Sequence, residues 1–542
     1  MRPLAFFASS LLLLSLVPAA PGAIDPASDR GAALFQLQCA VCHNAAGEGI
    51  ANVFPPLAAS ESLMADKERS IRIVLQGLSG PIRVNGKDYN NVMPAQSGLA
   101  DDQVAAILTH VRNSWGNRGD AVTLAEVAAV RATLADAPKA DDPFSPLPSP
   151  PAGFKLREVA RLADHGARLA TAPGADWIII LNPKGDLYRL QLETGSVTLI
   201  VAAKDYIEPG AGGVAALGLT IDSSRRLYVV TNRQFPQLPY HLNRVVIFRS
   251  APLDAAGTPA QLRPWFTADY PWGNNYYNHG VGHIAEGPDG LMYVSSGSRT
   301  DGGETDGGKA GRASIFWKGA ETAITAAIWR LDPRSENPTI DVFAHGIRNA
   351  WSFAWNDRGD LFSASNGPDA EVPEELDFVE RGKHYGFPYQ YGDAPATAGQ
   401  PYPYTPAAPP GVTFTPAIRN VGPAGGGSPE KSIASFHNHS SPAGMIFCGP
   451  EWPDAQRGKF IMGRFGNFIS QPDVGYDLLT LDLRKNAAGI YESRTETFLA
   501  PLARPIDILQ VGKKLYILEY TRPIGTQTSR PMTPGRVLEL SW

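Results

Sequence analysis

Hydrophobic and polar positions change rhythm along this chain, and each change marks a different kind of element. Behind Arg2, Leu4 to Val17 is an apolar run. It is too short to span a bilayer comfortably, and with the small residues Ala19, Ala20, Gly22 and Ala23 after it residues 1–23 read as an export signal. Farther on, Val104, Ile107, Leu108 and Val111 recur at three- and four-residue spacing, which predicts a helix in "ADDQVAAILTHVRNSWGN". A second helix is expected in "TLAEVAAVRATLA", where Thr123 and Glu126 can satisfy each other's free backbone amides as a capping box. Pro138, Pro143, Pro146, Pro148, Pro150 and Pro151 follow, and their fixed φ and missing donors predict an extended spacer.

From Phe154 onward the helical period gives way to short runs of Val, Ile, Leu, Tyr and Phe behind Gly/Asp turns. Six cognate pieces stand out: "GADWIIILNPKGDLYRL" from Gly174, "SSRRLYVVTN" from Ser223, "GPDGLMYVSSG" from Gly287, "DRGDLFSASNG" from Asp357, "QRGKFIMGRFG" from Gln456 and "VGKKLYILEY" from Val511. A turn feeding a strand, repeated six times, predicts antiparallel sheets arranged radially as propeller blades. Phe154 to Ala160 and Arg536 to Leu540 alternate in strand fashion, so the two ends are expected to pair and close the ring. A β-sandwich pair is the competing arrangement. The expectation is a multidomain chain, a small all-α domain followed by an all-β six-bladed β-propeller. Its boundaries are drawn at 1–23 (signal), 24–120 (helical domain), 121–152 (helix and Pro-rich linker) and 153–542 (propeller).

Charge narrows the partners. A net charge of −5 with no basic block argues against nucleic acid and against an anionic membrane surface. No apolar run after the signal reaches spanning length, so the mature form is expected to have no integral membrane span. There are three cysteines, and Cys448 alone lies outside the first domain, where it reads as a small buried hydrophobe.

The other two stand in "CAVCH". The spacing Cys39-x-x-Cys42-His43 suits haem c: two thiols one helical turn apart can add to the porphyrin vinyls while the adjacent imidazole reaches the iron. A redox or zinc CxxC would need partners the chain lacks. Attachment of this kind takes place outside the bacterial cytoplasm, in agreement with an export signal and a periplasmic location. A thioether on the far side of the iron would raise the potential, and Met93, on a Pro-containing loop, is the candidate. Met64 is its rival, with helical spacing that favours packing.

The sequence CxxCH, "FPPLAAS", "VMP" and "VRNSWGN" over roughly residues 30–117 resembles the class I cytochrome c domains attached to bacterial quinoprotein alcohol dehydrogenases. That resemblance implies His43 and Met93 as axial ligands and electron transfer as the task. Residues 154–542 are similar to the soluble quinoprotein glucose and sorbosone dehydrogenase superfamily, six-bladed propellers that bind pyrroloquinoline quinone and calcium. The similarity rests most on "GIRN" and "NGPD…EELDFV…GKHYGFP".

The second resemblance implies a role for each matching residue. His279 falls on the catalytic base, and neutral imidazole suits removal of a hydroxyl proton. Arg348 and Asn349 fall on positions contacting quinone oxygens, and His283 is placed with them, just ahead of a blade strand. Gly367 and Pro368 fall on carbonyls that bind the cofactor's calcium. Glu374, Glu375 and Tyr385 resemble a second calcium position, to which a solvated acidic loop is the alternative. The chain departs from the glucose enzymes at three points: Cys448 stands where they have a cofactor lysine, Asn278 replaces the Asp before the base, and no glutamine appears near Val214. "HNHSSPAGMIFCGPEWPDAQRGKFIMGRFGN" is closer to the sorbosone-type branch, where His439 and Arg464 are the candidate replacement contacts.

The activity expected is oxidation of a small hydroxyl or aldehyde substrate by hydride transfer to pyrroloquinoline quinone, with electrons leaving through haem c to a periplasmic acceptor such as a cytochrome or copper protein. Two other readings stand beside it. One is a haem-bearing propeller with only a binding or electron-transfer role. The other is a nitrite-reductase-like dihaem propeller enzyme, which needs eight blades and an axial histidine.

Overall fold

A computed structural model describes residues 26–50, 54–78, 82–89, 93, 96, 99–136, 144–210, 213–235, 242–271, 279–303, 321–368, 370–392, 396–402, 405–427, 433–467, 474–522 and 533–542. The export signal, Asn278 and the first two linker prolines lie outside them. The chain divides into two compact units, residues 1–137 and 138–542.

The first unit is helical. Helix Pro26–Gln38 packs on Asp101–Arg112, the helix the apolar spacing predicted, and Phe35, Ile107 and Val111 are buried between them. Thr123 and Glu126 cap helix Leu124–Asp136 reciprocally: the Glu126 carboxylate accepts from the Thr123 amide at 2.7 Å, and the Thr123 hydroxyl accepts from the Glu126 amide at 3.2 Å. The sequence reading had put this helix with the linker. Instead Val127 and Val130 enter the core of Ile71, Val74 and Leu108, and Arg131 pairs with Asp101 at 2.6 Å. The reason is that a helix with one apolar stripe must bury it somewhere.

The second unit contains six sheets. Their first strands, Arg168–Ala170, Val214–Ile221, Val281–Glu286, Ala350–Trp355, Pro442–Phe447 and Pro505–Val511, each contact the next, and the sixth contacts the first. That closed circle defines a six-bladed propeller. Each of the six sequence pieces supplies the second strand of its blade. The last blade is completed by the two chain ends, with Leu540 opposite Leu156 and Arg536 opposite Arg161. This pairing joins the two ends of the propeller in one blade and ties the ring shut. Two blades depart from four strands. Blade 4 has three, its edge covered by Ser435, whose hydroxyl accepts from the Leu376 amide and donates to the Ile418 carbonyl, both at 2.7 Å. Blade 5 has six, because Arg419–Asn420 adds in parallel to Tyr491–Leu499 and Ile433–Ala434 follows it.

On the axis, Arg168 reaches across the ring. Its guanidinium donates to the Leu217 carbonyl of blade 2 at 2.8 Å and the Trp351 carbonyl of blade 4 at 2.6 Å, and lies over the Trp351 ring. Asp507 of blade 6 is 3.8 Å away. At that separation attraction does not outweigh burial, which lowers Arg168 to about 10 and raises Asp507 to about 6.

A carboxyl group with a raised folded pKa favours folding in its protonated form, so the stability it contributes is present at low pH and lost as pH climbs through the folded pKa. The destabilisation caused by Asp507→Asn is therefore expected to shrink by about 3 kcal/mol between roughly pH 4 and pH 7, two pKa units at about 1.4 kcal/mol each. Chemical denaturation of both proteins across that range checks it. A penalty that grows with pH would refute the assignment.

Candidate functional site

Strand register fixes which loops share an end of the ring. In blade 3, Val281, Ser296, Ala327 and His345 lie in one row across the strands, and in blade 4 Ala350, Ser365 and Glu375 do the same. Residues 279–280, 297–303, 321–326, 346–349, 366–368 and 370–374 therefore gather at one end. Backbone bonds knit them: the His279 amide to the Ser298 carbonyl at 2.9 Å, the Ser298 amide to Arg348 at 2.7 Å, and the Ala326 amide to Gly297 at 3.0 Å. Any side chain at Gly297 would run into the His279 Cβ, so glycine is required beside that histidine.

His279 is held as a neutral base. Burial lowers its pKa well below the ordinary value, the Arg348 charge lowers it further, and Asp301 opposes both. Its Nε2 is buried without a hydrogen-bond partner among the described residues.

Arg348 is buried and gripped from two sides. Its Nε donates to the Asp301 carbonyl at 2.9 Å and Nη2 to the Asp301 carboxylate at 2.7 Å. Nη1 donates to the carbonyls of Asn366, at 3.1 Å, and Gly367. Glu374 lies under the same turn and accepts from the Gly367 amide at 2.8 Å and more distantly from Ser441. Burial raises Glu374 to about 7. Asn349 spends its backbone on Ser365 and Asn366, leaving its side-chain amide uncommitted among the described residues.

Of the other residues expected at the site, His283 is withdrawn into its blade, whereas Arg464, opposite Pro442 at the end of its strand, and His439, facing Glu371, stay at this end of the ring. His283 stands inside the blade strand, not ahead of it, because pairing with the next strand already begins at Val281. Its ring packs edge-on against Phe353 and feels the Arg168 charge on the axis. Arg464 forks onto Asp477 at 2.9 and 2.6 Å, both buried. His439 has a left-handed backbone, φ 59°, and its Nε2 is 3.5 Å from the exposed Glu371. Asp301, Tyr402 and Glu321 belong to this end of the ring and were missed. Glu321 accepts from the amides of Arg299, at 2.9 Å, and Thr300, at 2.7 Å; in the sequence Asp301 and Glu321 stand in or beside the Gly-rich stretch after "SSGS", and Tyr402 stands in the Pro-rich connection far beyond it.

In the first unit Cys39 and Cys42 flank a turn that carries His43, which is buried. His43 Nδ1 is 3.0 Å from the Pro55 carbonyl. A carbonyl only accepts, so Nδ1 carries the proton and Nε2 presents its lone pair, the tautomer that binds iron. Burial pushes the Cys39 and Cys42 thiols up to about 12 and about 11, the opposite of an activated redox pair. These residues fit haem c. Met93 pairs through its backbone with Leu78 at 2.9 Å in both directions, and its side chain is partly buried. The Met64 methyl packs over Gly119.

Residues 28–115 match the family profile "Cytochrome c", and residues 164–463, more than half of the chain, match "Glucose / Sorbosone dehydrogenase". The chain belongs to the glucose/sorbosone dehydrogenase family and carries a cytochrome c domain ahead of its propeller. It is 39% identical over 100 residues to cytochrome c-552 of Thermus thermophilus, spanning 18% of this chain and 67% of that protein. It is 34% identical over 112 residues to the cytochrome c subunit of the quinone alcohol dehydrogenase of Gluconacetobacter polyoxogenes, 20% of this chain and 24% of that subunit. Among solved structures, the PQQ-bound aldose sugar dehydrogenase of Streptomyces coelicolor is similar at 20% identity and TM-score 0.47, covering 72% of this chain and 99% of that one. The PQQ domain of pyranose dehydrogenase from Coprinopsis cinerea is similar at 14% and 0.47, covering 74% and 98%.

Met93→Ala is expected to leave haem covalently attached through Cys39 and Cys42 while lowering its potential and abolishing the thioether-to-iron charge-transfer band. An unchanged band in the oxidised spectrum would remove Met93 from the iron.

Proposed function

We propose that the chain is a periplasmic quinohaemoprotein dehydrogenase that oxidises a sugar, alcohol or aldehyde with pyrroloquinoline quinone and passes the electrons out through haem c. The observation that carries this is His279: a buried neutral imidazole with an unpartnered nitrogen, beside a buried guanidinium, at the loop end of a propeller of this family.

His279 Nε2 takes the proton of the substrate hydroxyl, and its neutrality makes it available across the ordinary pH range. Arg348 and Asn349 hold oxygens of the cofactor, for which a guanidinium fixed by Asp301 needs no reordering on binding. When bound, the quinone supplies a hydride acceptor and calcium polarises its receiving carbonyl. Among the described residues no group of three His, Cys, Asp or Glu side chains is arranged to hold a metal ion. Carbonyl oxygens of Gly367 and Pro368 suit calcium instead, and Gly367 keeps one lone pair beside its bond to Arg348. Cys39, Cys42, His43 and Met93 hold the haem through which electrons leave.

Protein purified in chelator is expected to be inactive with a dye acceptor and to regain activity only when calcium and pyrroloquinoline quinone are both supplied. In the same assay His279→Ala is expected to lower turnover by about a hundredfold, the scale of a positioned acid-base group, with haem content and quinone affinity unchanged. Full activity of the chelated, quinone-free protein would overturn the reading.

A further inference from the structure

The connection between blades 4 and 5 sends a strap over the site. Its turn is self-supporting: the Gly399 amide donates to the Thr405 carbonyl at 2.9 Å, and the Thr405 amide to the Tyr402 carbonyl at 3.0 Å. It docks on the loop after blade 3's second strand, where the Thr405 hydroxyl reaches the Gly302 carbonyl at 3.4 Å. Pro406 and Pro388 press on Gly303, whose φ of +88° and lack of a side chain permit the approach. From this strap the Tyr402 hydroxyl donates to Asp301 at 2.8 Å.

That bond lands on the second oxygen of a carboxylate whose first oxygen holds Arg348. Asp301 is fully buried, so each oxygen lacking a donor there would carry a full desolvation cost. Tyr402 thus supplies a donor to the anion that clamps the guanidinium. We infer that Tyr402 is a positioning residue for the cofactor site: acting through Asp301, it fixes Arg348 against the quinone, so that the strap and the quinone site are energetically coupled.

The inference rests on the quinone reading above. A phenol lost from a buried carboxylate removes a charge-assisted hydrogen bond, and Arg348 then trades its fork on Asp301 for looser contacts. The loss falls on cofactor affinity and, through the buried carboxylate oxygen that loses this donor, modestly on folding, while Phe keeps the ring packing and the turn keeps its own backbone bonds.

The test is a titration of the full-length, haem-loaded, quinone-free protein with pyrroloquinoline quinone in calcium, followed by tryptophan fluorescence, for wild type, Tyr402→Phe, Asp301→Asn and the double variant. Tyr402→Phe is expected to raise Kd about tenfold, the scale of one charge-assisted bond, with a melting temperature lowered by only a few degrees. In the Asp301→Asn background the same change is expected to add nothing, since the phenol has no carboxylate left to act through. Wild-type affinity in Tyr402→Phe, or a further tenfold loss in the double variant, would overturn the inference while leaving the quinone reading standing. Absence of quinone binding by the unmodified protein would overturn both. Should Asp301→Asn not fold, Arg348→Lys takes its place in the cycle under the same criterion.

Discussion

A guanidinium taken out of water must find all its partners in the protein, and Arg348 finds them on separate loops. Two of its bonds go to residue 301 in blade 3, and two go to the Asn366–Gly367 turn in blade 4. Its own carbonyl receives the Ser298 amide, and Ser298 receives His279. One ion therefore specifies the relative position of His279 and of the Asn366–Gly367 turn. Remove the charge and each loop keeps its local turn but loses the common reference. Below that turn Glu374 repeats the device from the opposite sign, drawing the Gly367 and Ser441 amides onto one carboxylate. The site is assembled by a buried guanidinium and a buried carboxyl group, each of which is satisfied only if its neighbours are in place.

The ring around this site was legible because one strand in each blade has no choice of environment. Second strands are sandwiched between neighbours, and Trp177–Leu181, Met292–Ser296, Leu361–Ser365 and Phe460–Arg464 are buried at every position, the first as a continuous hydrophobic run and the others as an apolar start followed by small or buried polar residues. Those four belong to the six pieces that repeat in the sequence. First and outermost strands face an axis or solvent on one side, and their burial is irregular, as in Val281–Glu286 and Val197–Val201. Their periodicity is correspondingly weak, which is why His283 was set ahead of a strand that in fact contains it. The three- and six-stranded blades were also out of reach. They depend on Ser435 and Arg419–Asn420 crossing from a long connection, a tertiary event with no local pattern.

Of the candidate site, residues tied to a strand end could be read. His279 and Arg348 precede innermost strands by one or two residues, where the register of the blade fixes their end of the ring. Asp301 and Tyr402 are separated by 101 positions and meet through loops whose spacing no period governs. Arg464 shows the converse: a strand-end arginine reads as a contact for an anion, yet the first carboxylate it meets is Asp477, its strand partner across the ladder. Chemistry alone does not tell which anion an arginine will find, and register does.

His279 and His43 are both buried histidines, and their different partners explain how one chain can use the same side chain twice. The Pro55 carbonyl takes the His43 Nδ1 proton and so assigns its other nitrogen to a metal. His279 has no such bond on Nε2, and the Arg348–Asp301 pair beside it contributes opposing effects to its affinity for a proton. Since the ion pair is nearly neutral seen from outside, burial decides, and the imidazole stays unprotonated without a dedicated acceptor. A general base at Nε2 needs its other proton kept on Nδ1, as a metal ligand at Nε2 does, so the two proposed roles ask for the same tautomer and differ in what Nε2 meets: at His279 it has no partner among the described residues, and at His43 it is the nitrogen left free for iron.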